Sequence, residues 1–173
     1  MPTCPRCALV ALVLAVAAFT GCDSSNPGRD LDVVDGVYAL EELSFDPETQ
    51  SLPTADLGER IDANSTRLEI YGGDGEADLV VRYRVTQPSS RIRLTVGATR
   101  GRATFEGVSQ DDIDKLAGLF LPADFVLTYD ADLGNQLSGT FTRSGVDLEA
   151  FDPDLYRGQR NNRGTLTVRF RRL

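Results

Sequence analysis

Residues 76 to 86, EADLVVRYRVT, constrain the fold more tightly than any other stretch. Ala77, Leu79, Val81, Tyr83 and Val85 alternate with Glu76, Asp78, Val80, Arg82 and Arg84. A period of two sends the first set to one side of an extended strand and the second to the other, which predicts a strand with one buried face. The alternation returns in TRLEIY (Leu68, Ile70), SRIRLTV (Ile92, Leu94, Val96), DFVLTYDA (Phe125, Leu127, Tyr129), QLSGTFT (Leu137, Phe141) and GTLTVRF (Leu166, Val168, Phe170), and more weakly in GVYALEEL and RATFEGV. About eight strands follow, their opposite faces filled mostly by Thr, Ser, Arg, Asp and Glu. One helix is expected, capped at Ser109 with acidic Asp112 three residues on, carrying Ile113, Leu116, Ala117 and Phe120 at helical spacing and ended by Pro122. It reads as a packing element.

Eight strands with one apolar face suit a sandwich or a closed barrel, and closure removes the exposed edges. The connections favour closure. GGDG (72–75), GATRG (97–101) and DLGN (132–135) are tight turns. The segments 46–64, 111–120 and 143–162 are long, with only TQPSS (86–90) short among them. In a meander, alternate connections share an end, so the long segments fall on one rim and the tight turns on the other. The expected fold is all-β: an antiparallel up-and-down barrel of about eight strands with one short helix, spanning residues 36–173.

Gly36-Val37-Tyr38 resembles the G-x-W opening of lipocalins with Tyr for Trp, and Arg169 or Arg171 would be the arginine that closes over that ring. The pattern over residues 36–173 resembles the lipocalin-like lipoproteins of bacteria; a META-type lipoprotein domain is the competing small β fold. The resemblance implies a barrel that binds a small apolar or lipid-like ligand. Tyr83, Phe105, Phe125, Tyr129 and Phe141 would line it, with Phe151 and Tyr156 in a lid. At eight-strand size the same side chains also suffice to fill the interior. The alternative is therefore a solid barrel that contacts another envelope protein through loops 46–64 and 143–162.

The first residues concern location. After Arg6, Ala8 to Thr20 (ALVALVLAVAAFT) is uncharged and almost wholly apolar. It is too short to span a bilayer, which takes about 20 residues, and fits the apolar centre of a secretory signal peptide. Phe19-Thr20-Gly21-Cys22 resembles the lipobox of bacterial lipoproteins, with Phe19 where an aliphatic residue is usual. The resemblance implies that residues 1–21 are removed and Cys22 is acylated. Each buried acyl methylene adds about 0.8 kcal/mol of membrane affinity, so two or more chains anchor a domain stably. Residues 22–35, in which DSSNPG (23–28) follows Cys22, read as a flexible tether. The expected location is the bacterial cell envelope, with the domain facing the periplasm or the exterior. Cys4 and Cys7 have the spacing of a zinc or redox pair but fall in the removed segment, without the second ligand pair or the βαβ setting such motifs need.

Composition narrows the chemistry. The chain has 18 basic and 26 acidic residues and a net charge of −8, so phosphate backbones repel it and nucleic acid is not an expected partner. It has no His, and its third cysteine is the acylated one, which removes the commonest general base, metal ligand and thiol nucleophile. No carboxylate pair points inward by strand parity. Asp130-Ala131-Asp132-Leu133-Gly134-Asn135 has the flavour of a calcium loop but lacks the sixth-place Gly and the distal Glu, and reads as a solvated turn. A non-enzymatic protein without metal or cofactor is expected. If the third and fourth strands pair across TQPSS, Arg84 faces Arg91 and Arg82 faces Arg93. Such like-charge pairs destabilise a sheet and would be either neutralised by nearby carboxylates or used as a patch for an anionic partner.

Overall fold

In each predicted strand the buried side chains are the alternating apolar ones, so burying one face of every strand bends the sheet around a common interior. The computed structural model describes residues 27–84 and 89–173; the expected signal peptide, with Cys4 and Cys7, and the expected acylation site Cys22 lie outside them, as do residues 85–88. Among the described residues the strands are β1 (Gly36–Pro47), β2 (Ala55–Asp56), β3 (Arg67–Tyr71), β4 (Glu76–Val81), β5 (Ser90–Thr99), β6 (Arg102–Gly107), β7 (Asp124–Asp130), β8 (Gln136–Val146) and β9 (Asn162–Arg172). β1 and β3 to β9 pair antiparallel in order, and β1 pairs again with β9, from Tyr38↔Arg172 to Pro47↔Gly164. The result is a closed eight-stranded barrel, with β2 added beside the far end of β1 through Ser44↔Asp56.

The interior is solid. Leu68, Leu79, Ile92, Phe105, Leu127, Leu137 and Val168 are buried from the successive strands β3 to β9, and Phe105 stacks on Phe125 at 5.1 Å. The space left between Leu40, Leu79, Leu121 and Phe170 is about 10 Å³, no more than one water requires. At the β1/β9 seam a bulge between Leu40 and Glu42 turns two successive residues outward while Leu40 and Leu43 stay buried. Both meet β9: Glu41 pairs with Arg171 at 2.9 Å and Glu42 with Arg169 at 3.2 Å.

The tight-turn rim is closed by a helix where an irregular tether was expected. α1 (Pro27–Val34) places Val34 in the core with Leu31 against it. Asp30 accepts the Arg100 backbone N–H at 3.1 Å, fixing the helix to the β5–β6 turn. The buried Tyr38 hydroxyl donates to the Val34 carbonyl at 2.8 Å, and burial pushes its phenol up to about 12, opposed by the Arg172 guanidinium. That guanidinium lies 6.0 Å over the Tyr38 ring and donates to the Asp35 carbonyl. The arginine over the ring is therefore Arg172; Arg169 and Arg171 have the opposite parity and face outward. Gly36 is required there: at φ +143°, a Cβ would stand 2.9 Å from Arg172 Nε.

The predicted helix is α2 (Gln110–Gly118), capped by Ser109, whose hydroxyl accepts the Asp112 N–H at 3.2 Å. A further turn, α3 (Leu148–Phe151), lies in the long segment before β9. The expected continuation of β4 past Val81 is corrected over residues 82–84, and Val85 lies outside the described residues. After Val81 the chain leaves β5 and binds the 60–62 segment: Asp62 N–H donates to Arg82 O at 2.6 Å, Arg84 N–H to Arg60 O at 2.9 Å, and Tyr83 bridges Ile61. The β4/β5 register sets Asp78 opposite Arg93 and Val80 opposite Arg91. The two expected arginine pairs therefore do not form. Arg91 reaches Asp78 at 3.6 Å, Arg93 reaches Asp112 at 3.8 Å, and Arg84 donates from Nε to Ile61 O at 3.0 Å.

Candidate functional site

The long connections gather at the rim opposite α1 and enclose an open cleft of about 750 Å³. Its walls come from the 57–61 turn, Tyr83, the end of α2 and residues 143–151. Each wall is fixed by local hydrogen bonds. Asp56 accepts the Gly58 N–H at 2.8 Å, and Arg60 N–H closes on Leu57 O at 3.1 Å. Asp62 accepts from Ser65 Oγ at 2.7 Å. Asp147 caps α3 by accepting the Ala150 N–H at 2.9 Å. Behind it, buried Asn162 donates to both Val146 O and Gln159 O.

The end of α2 contributes the aromatic wall through an unusual backbone. Phe120 N–H donates to Ala117 O and Leu121 N–H to Leu116 O, the two bonds of a Schellman cap. The left-handed position of that cap, which favours glycine, is held by Phe120 at φ 62°. Such a conformation costs about 1–3 kcal/mol for a side-chain-bearing residue. It presents the Phe120 ring edge-on to Phe45 at 5.8 Å and to Phe151 at 6.1 Å. The helix is held by Asp112. Burial pushes its carboxyl up, but hydrogen bonds from Ser109 and the Arg93 N–H, with the charges of Arg93 and Lys115, outweigh this and hold it below the ordinary 3.8.

The expected ligand residues divide. Tyr83 and Phe151 line the cleft. Burial raises the Tyr83 phenol, opposed by the Lys115 ammonium. Phe105 and Phe125 belong to the solid interior, and Phe141 packs edge-on to Phe125 at 6.2 Å. Tyr129 sits at the tight-turn rim, its hydroxyl donating to Asn135 at 2.6 Å. Tyr156 is buried behind Phe151, its hydroxyl donating to Pro53 O at 3.1 Å.

Two arginines line the cleft as well. Arg60 lies 4.3 Å over the Phe151 ring and donates to Ala150 O at 3.3 Å. Arg143 corrects the expectation of a wholly apolar inner face. On β8 it shares the parity of Leu137 and Phe141, and its Nε is buried without a hydrogen-bond partner. QLSGTFTR contains this signal: the inward alternation runs one step past Phe141 and ends on an arginine. The 130–135 segment is a tight turn, Asp130 accepting the N–H groups of Asp132 and Leu133. Among the described residues no group of three or more acidic or thiol side chains is placed to hold a metal, and no helix is long and apolar enough to cross a membrane. No protein-family model, curated protein or solved structure matches the chain, so the chemistry of the cleft itself carries the functional argument.

Proposed function

We propose that the protein is a non-enzymatic, lipid-anchored protein of the bacterial envelope, lipocalin-like in form, that holds a small apolar or lipid-like molecule at the open rim of its barrel. The observation that carries this is the contrast between the space of about 10 Å³ left among Leu40, Leu79, Leu121 and Phe170 inside the barrel and a rim cleft of about 750 Å³ walled by Leu57, Ile61, Tyr83, Phe120, Val146 and Phe151. That volume falls within the roughly 300–1,000 Å³ of small-molecule sites. The anchor rests on the lipobox-like Phe19-Thr20-Gly21-Cys22 after an apolar leader.

One preparation tests both parts. Cells fed an alkyne-tagged fatty acid should label the wild-type chain and leave Cys22→Ser unlabelled. The Cys22→Ser protein released from the envelope should show, by native mass spectrometry, a stoichiometric adduct that organic extraction removes. A bare mass that takes up neither fatty acids nor apolar dyes sinks the ligand reading. The filled interior favours a second reading in that event, an interaction module. Its sign would be an envelope protein that co-purifies with the wild type and is lost when 46–64 or 143–162 is shortened.

A further inference from the structure

We infer that the molecule held in the rim cleft is a single-chain amphiphile with an anionic head group, and that Arg143 receives that head group; this deepens the proposed function and rests on the cleft being a ligand site. Among the described residues the Arg143 Nε is the one buried side-chain nitrogen or oxygen without a hydrogen-bond partner. On the outer wall Arg91, Arg169 and Arg171 each have a carboxylate within ion-pair distance. Among the described residues Arg143 has none, although the chain carries an excess of acidic side chains. Its Nε–H is shut off from solvent with nothing to accept it, an arrangement that costs stability unless a partner arrives.

Position decides what that partner is. Arg143 ends an inward-facing row that is apolar up to Phe141, so its guanidinium stands where the solid interior gives way to the cleft. A wholly apolar ligand would lie against the guanidinium and leave it unpaired. A carboxylate or phosphate oxygen in the cleft accepts from the guanidinium that lines it, and a turn of the side chain that uncovers the Nε–H lets the planar fork make two parallel bonds. Arg60 adds positive charge at the same cleft while its plane rests on Phe151. Of the two cleft carboxylates, Asp147 is turned to its own helix cap and Glu59 adjoins Arg60 in the chain. The aromatic and aliphatic walls take the alkyl part.

The full chain in phosphatidylcholine vesicles is exposed to photoreactive alkyl probes of equal chain length ending in carboxylate, phosphate, alcohol or trimethylammonium, and labelled peptides are mapped. Cleft peptides containing Phe120 and Phe151 should be labelled about tenfold more by an anionic probe than by the alcohol, the ratio one charge-assisted bond supports. Whichever anionic probe leads identifies a fatty acid or a phosphate ester as the source. Arg143→Gln, with a denaturation midpoint at or above that of the wild type, should bring the ratio near one. Arg143→Lys, which keeps the charge and loses the fork, should fall between. Equal labelling by acid and alcohol, preference for the ammonium probe, or a ratio unmoved in both variants overturns the inference while leaving the cleft as a ligand site. Absence of cleft labelling by every probe overturns the proposed function, and this inference falls with it.

Discussion

The two rims of the barrel end the same strands in opposite ways. At the tight-turn rim Tyr38, Arg172, Asp35 and Val34 are joined by hydrogen bonds under α1, a buried hydroxyl and a guanidinium each finding a carbonyl. At the other rim Arg143 keeps a buried N–H without a partner, Phe120 holds a left-handed backbone, and a cleft remains between well-fixed walls. One rim spends its polar groups on closure. The other leaves one of them, the Arg143 Nε–H, unpaired beside an open cleft.

The comparison breaks most visibly at Tyr38. Tyr38→Ala empties a fully buried site and orphans the Val34 carbonyl, and should cost about 3–5 kcal/mol in a urea titration while labelling of the cleft by alkyl probes persists. At the open rim, Asp112→Ala frees the Arg93 N–H and the α2 cap, an expected loss of about 2–3 kcal/mol. Its pH dependence has a definite sign. A carboxyl held below its ordinary 3.8 stabilises the fold above that value and loses the contribution as pH falls through the lowered one. The gap between wild type and variant should therefore be widest near neutrality and narrow below pH 3.8.

A matched pair sharpens the contrast. Arg172→Met should destabilise by about 1–2 kcal/mol, since it strips a satisfied donor from the closed rim. Arg143→Met should instead raise stability by up to about 1 kcal/mol, because it replaces an unpaired buried donor with apolar volume. Equal signs in thermal denaturation would remove the distinction between the rims. The smallest effect is expected at Phe120→Gly. Relief of backbone strain offsets lost ring contacts to within about 1 kcal/mol, yet adduct formation should drop because a cleft wall is gone.

Much of this was legible in the sequence. The alternation in β3 to β9 marks the buried face, and the sites of GGDG, GATRG and DLGN mark the rim of short turns. Ser109 and Asp112 mark the start of α2. The partner change after Val81 was not legible, because Arg82, Tyr83 and Arg84 continue the alternation of β4 while their backbone pairing moves to residues 60–62; side-chain period does not encode the hydrogen-bonding partner. The expected arginine pairs failed for that reason. Among its described side chains α1 carries Leu31 and Val34 on its buried side, too few to stand out beside DSSNPG. β2 is two residues long and owes its pairing to the free edge that β1 offers past Ala39, where pairing with β3 stops. At the site, the aromatic residues were visible as a set, but parity alone did not separate those filling the barrel from those at its mouth.

The β1/β9 seam has a consequence in time. It joins Leu40 to Phe170 and Phe45 to Leu166, partners far apart in sequence, so the cylinder cannot close until β9 has been made. Until then β1 and β8 are open strand edges able to recruit other chains, and pairing at such separation is slow. A chain of this kind spends its most vulnerable interval just before completion, and whatever shields those edges in that interval decides how much of it reaches the closed form.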